Sequence, residues 1–239
     1  MAWKWYDSKV VQIEDASPTT KRFWVEADET IDFEPGQFVT MDLPISDKRL
    51  KRWRSYSIAN SPSDNKHLEF CIVHLEGGAA SEYFFNEVDV DTPIRFKGPS
   101  GTFTLPKSIE NDLVFICTGT GVAPFRSMIH EIIQKDIPHK KIHLIFGTRY
   151  ENGILYRDEF EKIAKNHNWF TYDVALSRDK SWEGYQGYVH DIYMQMYQDD
   201  PHNRDFYLCG WSAMIDEAVE NLLIKMKVDK SKVHYELYG

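Results

Sequence analysis

The hydrophobic pattern of the chain changes its period once, near residue 107. Before that point apolar residues occur in short alternating or β-rich runs: KVVQIEDA, TKRFWVEA, GQFVTMDL, RSYSIANS, LEFCIVHL and TPIRFKGP, punctuated by EPGQ, SPSDN and GPSG. Alternation is the period of a strand with one covered face. Six short strands at this spacing predict an antiparallel six-stranded β-barrel. A short helix fits SEYFFNEV (81–88), with Ser81 as its N-cap. Beyond residue 107 continuous apolar runs, LVFICT (113–118), IHLIFG (142–147), FTYDVALS (170–177), DFYLCG (205–210) and VHYELY (233–238), alternate with helical patterns near 124–135, 157–166, 189–197 and 212–227. Such runs with helical crossovers predict an α/β domain on a five-stranded parallel sheet covered on both faces. The expected division is a barrel over 1–106 and an α/β domain over 107–239.

Composition narrows the class of function. With 42% apolar and 27% charged residues the chain is an ordinary globular one, large enough for real cores. No apolar run approaches the roughly 18 residues needed to span a bilayer, and the start MAWKWYDSKVVQIEDA lacks the build of a signal peptide. A cytoplasmic monomer without membrane insertion is expected. Cys71, Cys117 and Cys209 are odd in number and far apart. That spacing argues against a disulfide framework, zinc or an iron–sulfur cluster on these residues, and the nine histidines are equally scattered. No metal is expected. A net charge of -9 makes nucleic acid an unsuitable partner. Against that acidic background DKRLKRWR (47–54) crowds together Lys48, Arg49, Lys51, Arg52 and Arg54.

Three stretches carry chemistry. In RSYSIANSP a strand would put Arg54 and Tyr56 on one face and Ser55 and Ser57 on the other. Alone, this pattern favours an edge strand with a solvated arginine and a half-buried tyrosine. LVFICTGTGVAPF places Gly119, Thr120 and Gly121 after the first strand of the second half, with Pro124 where a helix begins. A glycine-rich turn feeding a helix N-terminus offers free N–H groups to a pyrophosphate, although the third glycine of the dinucleotide fingerprint is missing. YLCGW puts Cys209 and Gly210 at the carboxyl edge of a later strand, where α/β sheets bind ligands.

An antiparallel barrel with RSYS followed by an α/β half with GTGVAP resembles the ferredoxin–NADP reductase family over nearly the whole chain. EPGQF (34–38), HLEGGAASEYF (74–84), GPSGTF (98–103) and LCGW are similar to further family segments in the same order. The resemblance implies Arg54 on a flavin phosphate, Tyr56 against the isoalloxazine, and Ser57 near its N5 and O4. It implies a second phosphate segment around Val73, Gly77, Gly78, Ala80 and Ser81. Thr118, Gly119, Thr120, Gly121 and Pro124 would hold the nicotinamide nucleotide's pyrophosphate, with Cys209 and Gly210 beside the nicotinamide. YELYG is similar to endings that lie over the flavin, which makes Glu236 a proton-relay or positioning residue and Tyr238 the stacking ring. Ser177 and Arg178 resemble a pair that binds a 2′-phosphate, with Arg149 adding charge, while W-x-G-x-x-G-Y-V resembles NADH-using members; the choice stays open at this level.

The resemblance implies a flavin-dependent NAD(P)H oxidoreductase using FAD in preference to FMN, with Ser57, Cys209 and Glu236 as its catalytic residues. Electrons would pass to a separate acidic protein such as a ferredoxin, a flavodoxin or an oxygenase's iron–sulfur component. Two other expectations stand beside it: a reductase of small acceptors such as ferric chelates, quinones or free flavin, and a flavin-binding module without nicotinamide turnover.

Overall fold

The computed structural model describes residues 4–237. The chain forms two compact units, one of residues up to Leu105 together with Ala123–Asp136, the other of Pro106–Val122 and the residues from Ile137 onward.

The first unit contains β1 (Trp5–Ser17), β2 (Thr20–Ala27), β3 (Phe38–Asp42), a one-turn helix α1 (Arg49–Arg52), β4 (Trp53–Ser57), β5 (His67–Val73), α2 (Ala79–Asn86), β6 (Pro93–Ser100) and α3 (Ala123–Lys135). Its strands form one antiparallel sheet in the order β4-β3-β6-β1-β2-β5. Alternate residues face inward, so Val10, Phe23, Val39, Met41, Phe70 and Phe96 meet in a core sealed from solvent. The sheet's ends, β4 and β5, meet just past β4, where Ala59 N–H donates to the Glu69 carbonyl at 2.8 Å. Asn60 seals this seam. Its Nδ2 donates to the carbonyls of Asp64 (2.6 Å) and His67 (2.8 Å), and its Oδ1 accepts the Glu69 N–H at 2.8 Å.

Helix α3 is fastened to the same seam. Arg126 Nη1 donates to the Ala59 carbonyl (3.0 Å) and to Glu69 Oε2 (2.8 Å), while Arg22 Nε takes Glu69 Oε1 at 2.7 Å. One residue past Asn60, Ser61 Oγ lies 2.8 Å from Glu131 Oε2 and 2.7 Å from Gln134 Oε1.

The second unit contains β7 (Asp112–Thr118), β8 (Ile142–Thr148), α4 (Arg157–Asn166), β9 (Phe170–Leu176), β10 (Tyr185–Gln186), α5 (Val189–Tyr197), β11 (Arg204–Gly210), α6 (Ser212–Glu220) and β12 (Val233–Leu237). Its sheet is parallel throughout, ordered β10-β9-β8-β7-β11-β12. Val114, Ile116, Ile145, Phe206 and Leu208 pack against Ile192, Tyr193, Ile215 and Leu222 from the helical segments.

Three expectations are corrected. The parallel sheet has six strands rather than five, because Tyr185–Gln186 adds a two-residue strand beside β9; so short a piece leaves no periodic signal. Helix α2 begins earlier than expected, with Gly78 rather than Ser81 at its N-cap. The helix expected over 212–227 is α-helical to Glu220 and continues as a π-helical turn over Asn221–Lys225. The cationic run also forms the short α1, which the strand pattern did not indicate.

Truncating Asn60 leaves the seam's Asp64 and His67 carbonyls and Glu69 N–H without their partner. Asn60→Ala is therefore expected to lower the unfolding free energy by about 2–4 kcal/mol, measured by urea denaturation. An unchanged urea midpoint would rule out the seam as a determinant of barrel stability.

Candidate functional site

Strand β4 carries the first cluster. Pairing with β3 sets Arg54 opposite Met41 and Tyr56 opposite Val39, so guanidinium and phenol share one face. Ser55 stands on the other, its hydroxyl 3.1 Å from Thr40 Oγ1. Arg54 Nη1 donates to the carbonyls of Lys51 (2.9 Å) and Trp53 (2.8 Å). A guanidinium has five N–H donors, so Nε and Nη2 remain as a two-donor edge suited to a phosphate. Tyr56 packs edge-on against Phe84 of α2, with ring centroids 5.5 Å apart. Burial raises its hydroxyl pKa, against a smaller opposing pull from Arg54. The phenol therefore stays neutral and presents an uncharged flat surface. Ser57 ends the strand and is buried.

Val73 ends β5, and Gly77–Ser81 lead into α2. The Gly78 N–H is bonded to the Leu75 carbonyl (2.9 Å) and the Gly77 N–H to the Glu82 carboxylate (3.3 Å). Ser81 Oγ is held by the backbone of Leu75 and Gly78. The donors left for an anion at this helix start are the N–H groups of Ala79, Ala80 and Ser81, which have no intrahelical partner in a first turn. A Cβ on Gly77 would meet nothing within 4 Å, so the approach to this turn is open.

In the second unit β7 and β11 are neighbours whose onward connections run to opposite sides of the sheet. Such a switch point opens a crevice at the carboxyl ends of the strands. Thr118, Gly119, Thr120 and Gly121 leave β7 there, and Cys209 and Gly210 end β11. The two segments touch without room to spare. A Cβ on Gly121 would lie 2.2 Å from the Cys209 carbonyl oxygen, and one on Gly210 would lie 2.3 Å from Thr118 Oγ1. Gly119 takes a left-handed φ of 54° and faces open space. The turn Gly119–Val122 runs straight into α3, whose second residue is Pro124. The Cys209 side chain is fully buried, in register with Cys117 on one side and Glu236 on the other. Burial pushes the Cys117 thiol well up. Cys209 and Glu236 are thus brought side by side, Ser57 belongs to the first unit, and Tyr238 lies outside the described residues.

Arg149 and the Ser177–Arg178 pair leave the adjacent strands β8 and β9. Their backbones are joined by Ser177 N–H to the Thr148 carbonyl and Arg178 N–H to the Arg149 carbonyl, both 3.0 Å. Both arginines are exposed, and among the described residues neither guanidinium has a hydrogen-bonding or ion-pair partner. The residues that follow them line an open cleft of about 580 Å³ formed by Tyr150, Glu151, Asn152, Arg157 and Asp179. Its carboxylates are already engaged. Glu151 is paired with Arg157 (2.5 Å), and Asp179 accepts from the Ser181 hydroxyl and N–H, which lower its pKa. Among the described residues no group of three or more His, Cys, Asp or Glu side chains is placed to hold a metal ion, and no helix is long and apolar enough to cross a membrane.

Comparison with known proteins agrees with this division of sites. Residues 7–105 match the oxidoreductase FAD-binding domain and residues 115–220 the oxidoreductase NAD-binding domain. The ferredoxin–NADP reductase B of Sorangium cellulosum is 32% identical over 98% of this chain and 97% of its own length. The chain belongs to the ferredoxin–NADP reductase superfamily. FAD and a nicotinamide dinucleotide are the cofactors of these two domains. The phenol hydroxylase P5 protein of Acinetobacter pittii is 30% identical over 98% of this superfamily member, which spans 65% of that protein's length. The fold is shared with an Amycolatopsis cytochrome P450 reductase, with a TM-score of 0.88 at 24% identity over 99% of this chain and 70% of the other. The residues present fit both groups: an open two-donor arginine edge beside a neutral aromatic face in the first unit, and at a switch point in the second a glycine turn whose Gly119 faces open space.

Reading the sequence missed the polar group on which β4's end rests. Glu69 was a signal in plain view, a carboxylate inside the apolar run LEFCIV that is 3% exposed. Arg126 gave a second, as a cation on the covered side of α3 with 11% of its side chain exposed.

Proposed function

We propose that this superfamily member takes reducing equivalents from NADPH through FAD and delivers electrons to a separate acidic electron-transfer protein, such as a ferredoxin, a flavodoxin or the iron–sulfur component of an oxygenase. Bound FAD supplies a hydride acceptor that can return its electrons one at a time. The observation that carries the reading is the Arg54 guanidinium, which keeps a two-donor edge on the same face as Tyr56. Arg54 neutralises a flavin phosphate, Tyr56 covers the ring, and the Ser57 hydroxyl hydrogen-bonds the ring edge. The first turn of α2 supplies further phosphate donors. At the switch point the Gly119–Gly121 turn receives the nicotinamide nucleotide's pyrophosphate, Gly210 lies beside the nicotinamide, and the Glu236 carboxylate orients it. Cys209 contributes by packing, since its thiol is enclosed. The two unpaired guanidinium groups of Arg149 and Arg178, beside carboxylates that already have partners, favour a nucleotide bearing a 2′-phosphate.

The cationic run offers a docking face. Lys48, Arg49 and Lys51 are exposed around Leu50, which is 78% exposed, whereas Arg52 is paired with Asp42. Cations surrounding an apolar tip suit an acidic partner, which they also steer towards the surface.

Three measurements test this function. Arg54→Ala is expected to weaken FAD binding by about 10–100-fold, read by titrating apoprotein with FAD; equal affinity would remove Arg54 from the phosphate. Converting Arg149 and Arg178 to Ala together is expected to cut kcat/KM for NADPH by about tenfold or more while leaving NADH nearly unchanged; parallel losses would contradict a 2′-phosphate site. Reversing Lys48, Arg49 and Lys51 to Glu is expected to slow reduction of an acidic protein acceptor by about tenfold or more at low salt and to spare a small dye. Equal effects on both acceptors would instead assign turnover to small molecules.

A further inference from the structure

The group at Glu69 does more than close a barrel. Arg126 grips both edges at once, the Ala59 carbonyl on the continuation of β4 and the Glu69 carboxylate on β5. Ala59 is two residues from Ser57 and three from Tyr56. The helix from which Arg126 reaches begins at the residue after the glycine turn. Ser61 ties the same short segment to α3 a second time, through Glu131 and Gln134. A charged cluster this enclosed is a poor choice for stability alone, because well-packed apolar groups of similar volume hold an interior as firmly. What a planar guanidinium adds is direction: its donors fix the angle and distance of each group they hold.

We infer that Arg126 is a positioning residue for the flavin site, holding the end of β4 in register with β5 from a helix joined directly to the glycine turn. The inference rests on the reading of Arg54, Tyr56 and Ser57 as flavin ligands. Without Arg126 the segment Ser57–Ser61 loses the guanidinium that holds Ala59 against Glu69, and Tyr56 and Ser57 lose their fixed setting.

The test uses the full chain loaded with FAD. Arg126→Met is expected to release FAD about tenfold faster or more and to alter the fine structure of the flavin's visible absorption band. Arg126→Lys, which keeps a charged donor, is expected to recover part of both losses. Ser61→Ala, which removes the hydroxyl that faces Glu131 and Gln134, is expected to speed release about two- to threefold. Should Arg126→Met not accumulate as folded protein, the Lys and Ser61 variants carry the same comparison. Val10→Ala, a core change elsewhere in the first unit, supplies a variant with lowered Tm but an intact seam. Release of FAD from it at the wild-type rate supports positioning, and release as fast as from an Arg126 variant with the same Tm overturns it. Retention of FAD by the Arg126 variants as in wild type overturns it too. Wild-type protein that takes up no FAD would overturn the flavin reading itself.

Discussion

An antiparallel sheet can curl into a barrel only if its two outer strands find each other, and here they meet at Glu69. Its carbonyl and N–H join the segment that continues β4, and its carboxylate sits between two arginines. An unpaired strand edge exposes a row of hydrogen-bonding groups, and a buried carboxylate without partners is costlier still. The chain resolves both at one residue. Because Tyr56 and Ser57 precede the seam by two to three residues, the face they present inherits whatever order the seam has.

The second unit reaches order by another route. At its switch point there are few polar bonds and very little space. Gly121 sits against the backbone of Cys209, and Gly210 against Thr118, at distances that exclude any side chain. The crevice is therefore shaped by the Cys209 main chain against Gly121 and by the Thr118 hydroxyl against Gly210, and the cysteine is enclosed rather than presented. Strand pairing also places Glu236 next to Cys209, although 27 positions separate them in sequence.

Much of this could be read from residue order. The alternation of RSYS foretold that Arg54 and Tyr56 share a face, and the apolar runs from Leu113 onward foretold the parallel sheet. What failed to register did so for physical reasons. β10 has two residues and no period. Ser81 looked like a cap because serine often is one, but its hydroxyl is drawn to the Leu75 backbone and Gly78 takes the cap. In the segment that the resemblance assigns to a second phosphate, the N–H groups of Gly77 and Gly78 are occupied by Glu82 and Leu75, a local competition that no motif records. The seam at Glu69 joins residues from β2, β5, the end of β4 and α3, and long-range polar pairing leaves no periodic trace.

Arg54 spends one nitrogen on its own neighbours, the carbonyls of Lys51 and Trp53. A long flexible side chain normally loses considerable rotational freedom when it grasps a ligand. In this chain that freedom is already gone before anything arrives, so the guanidinium waits as a rigid fixture rather than a searching arm. The cationic stretch leading into β4 thereby has an internal duty, since its backbone is the bracket on which the fixture is mounted.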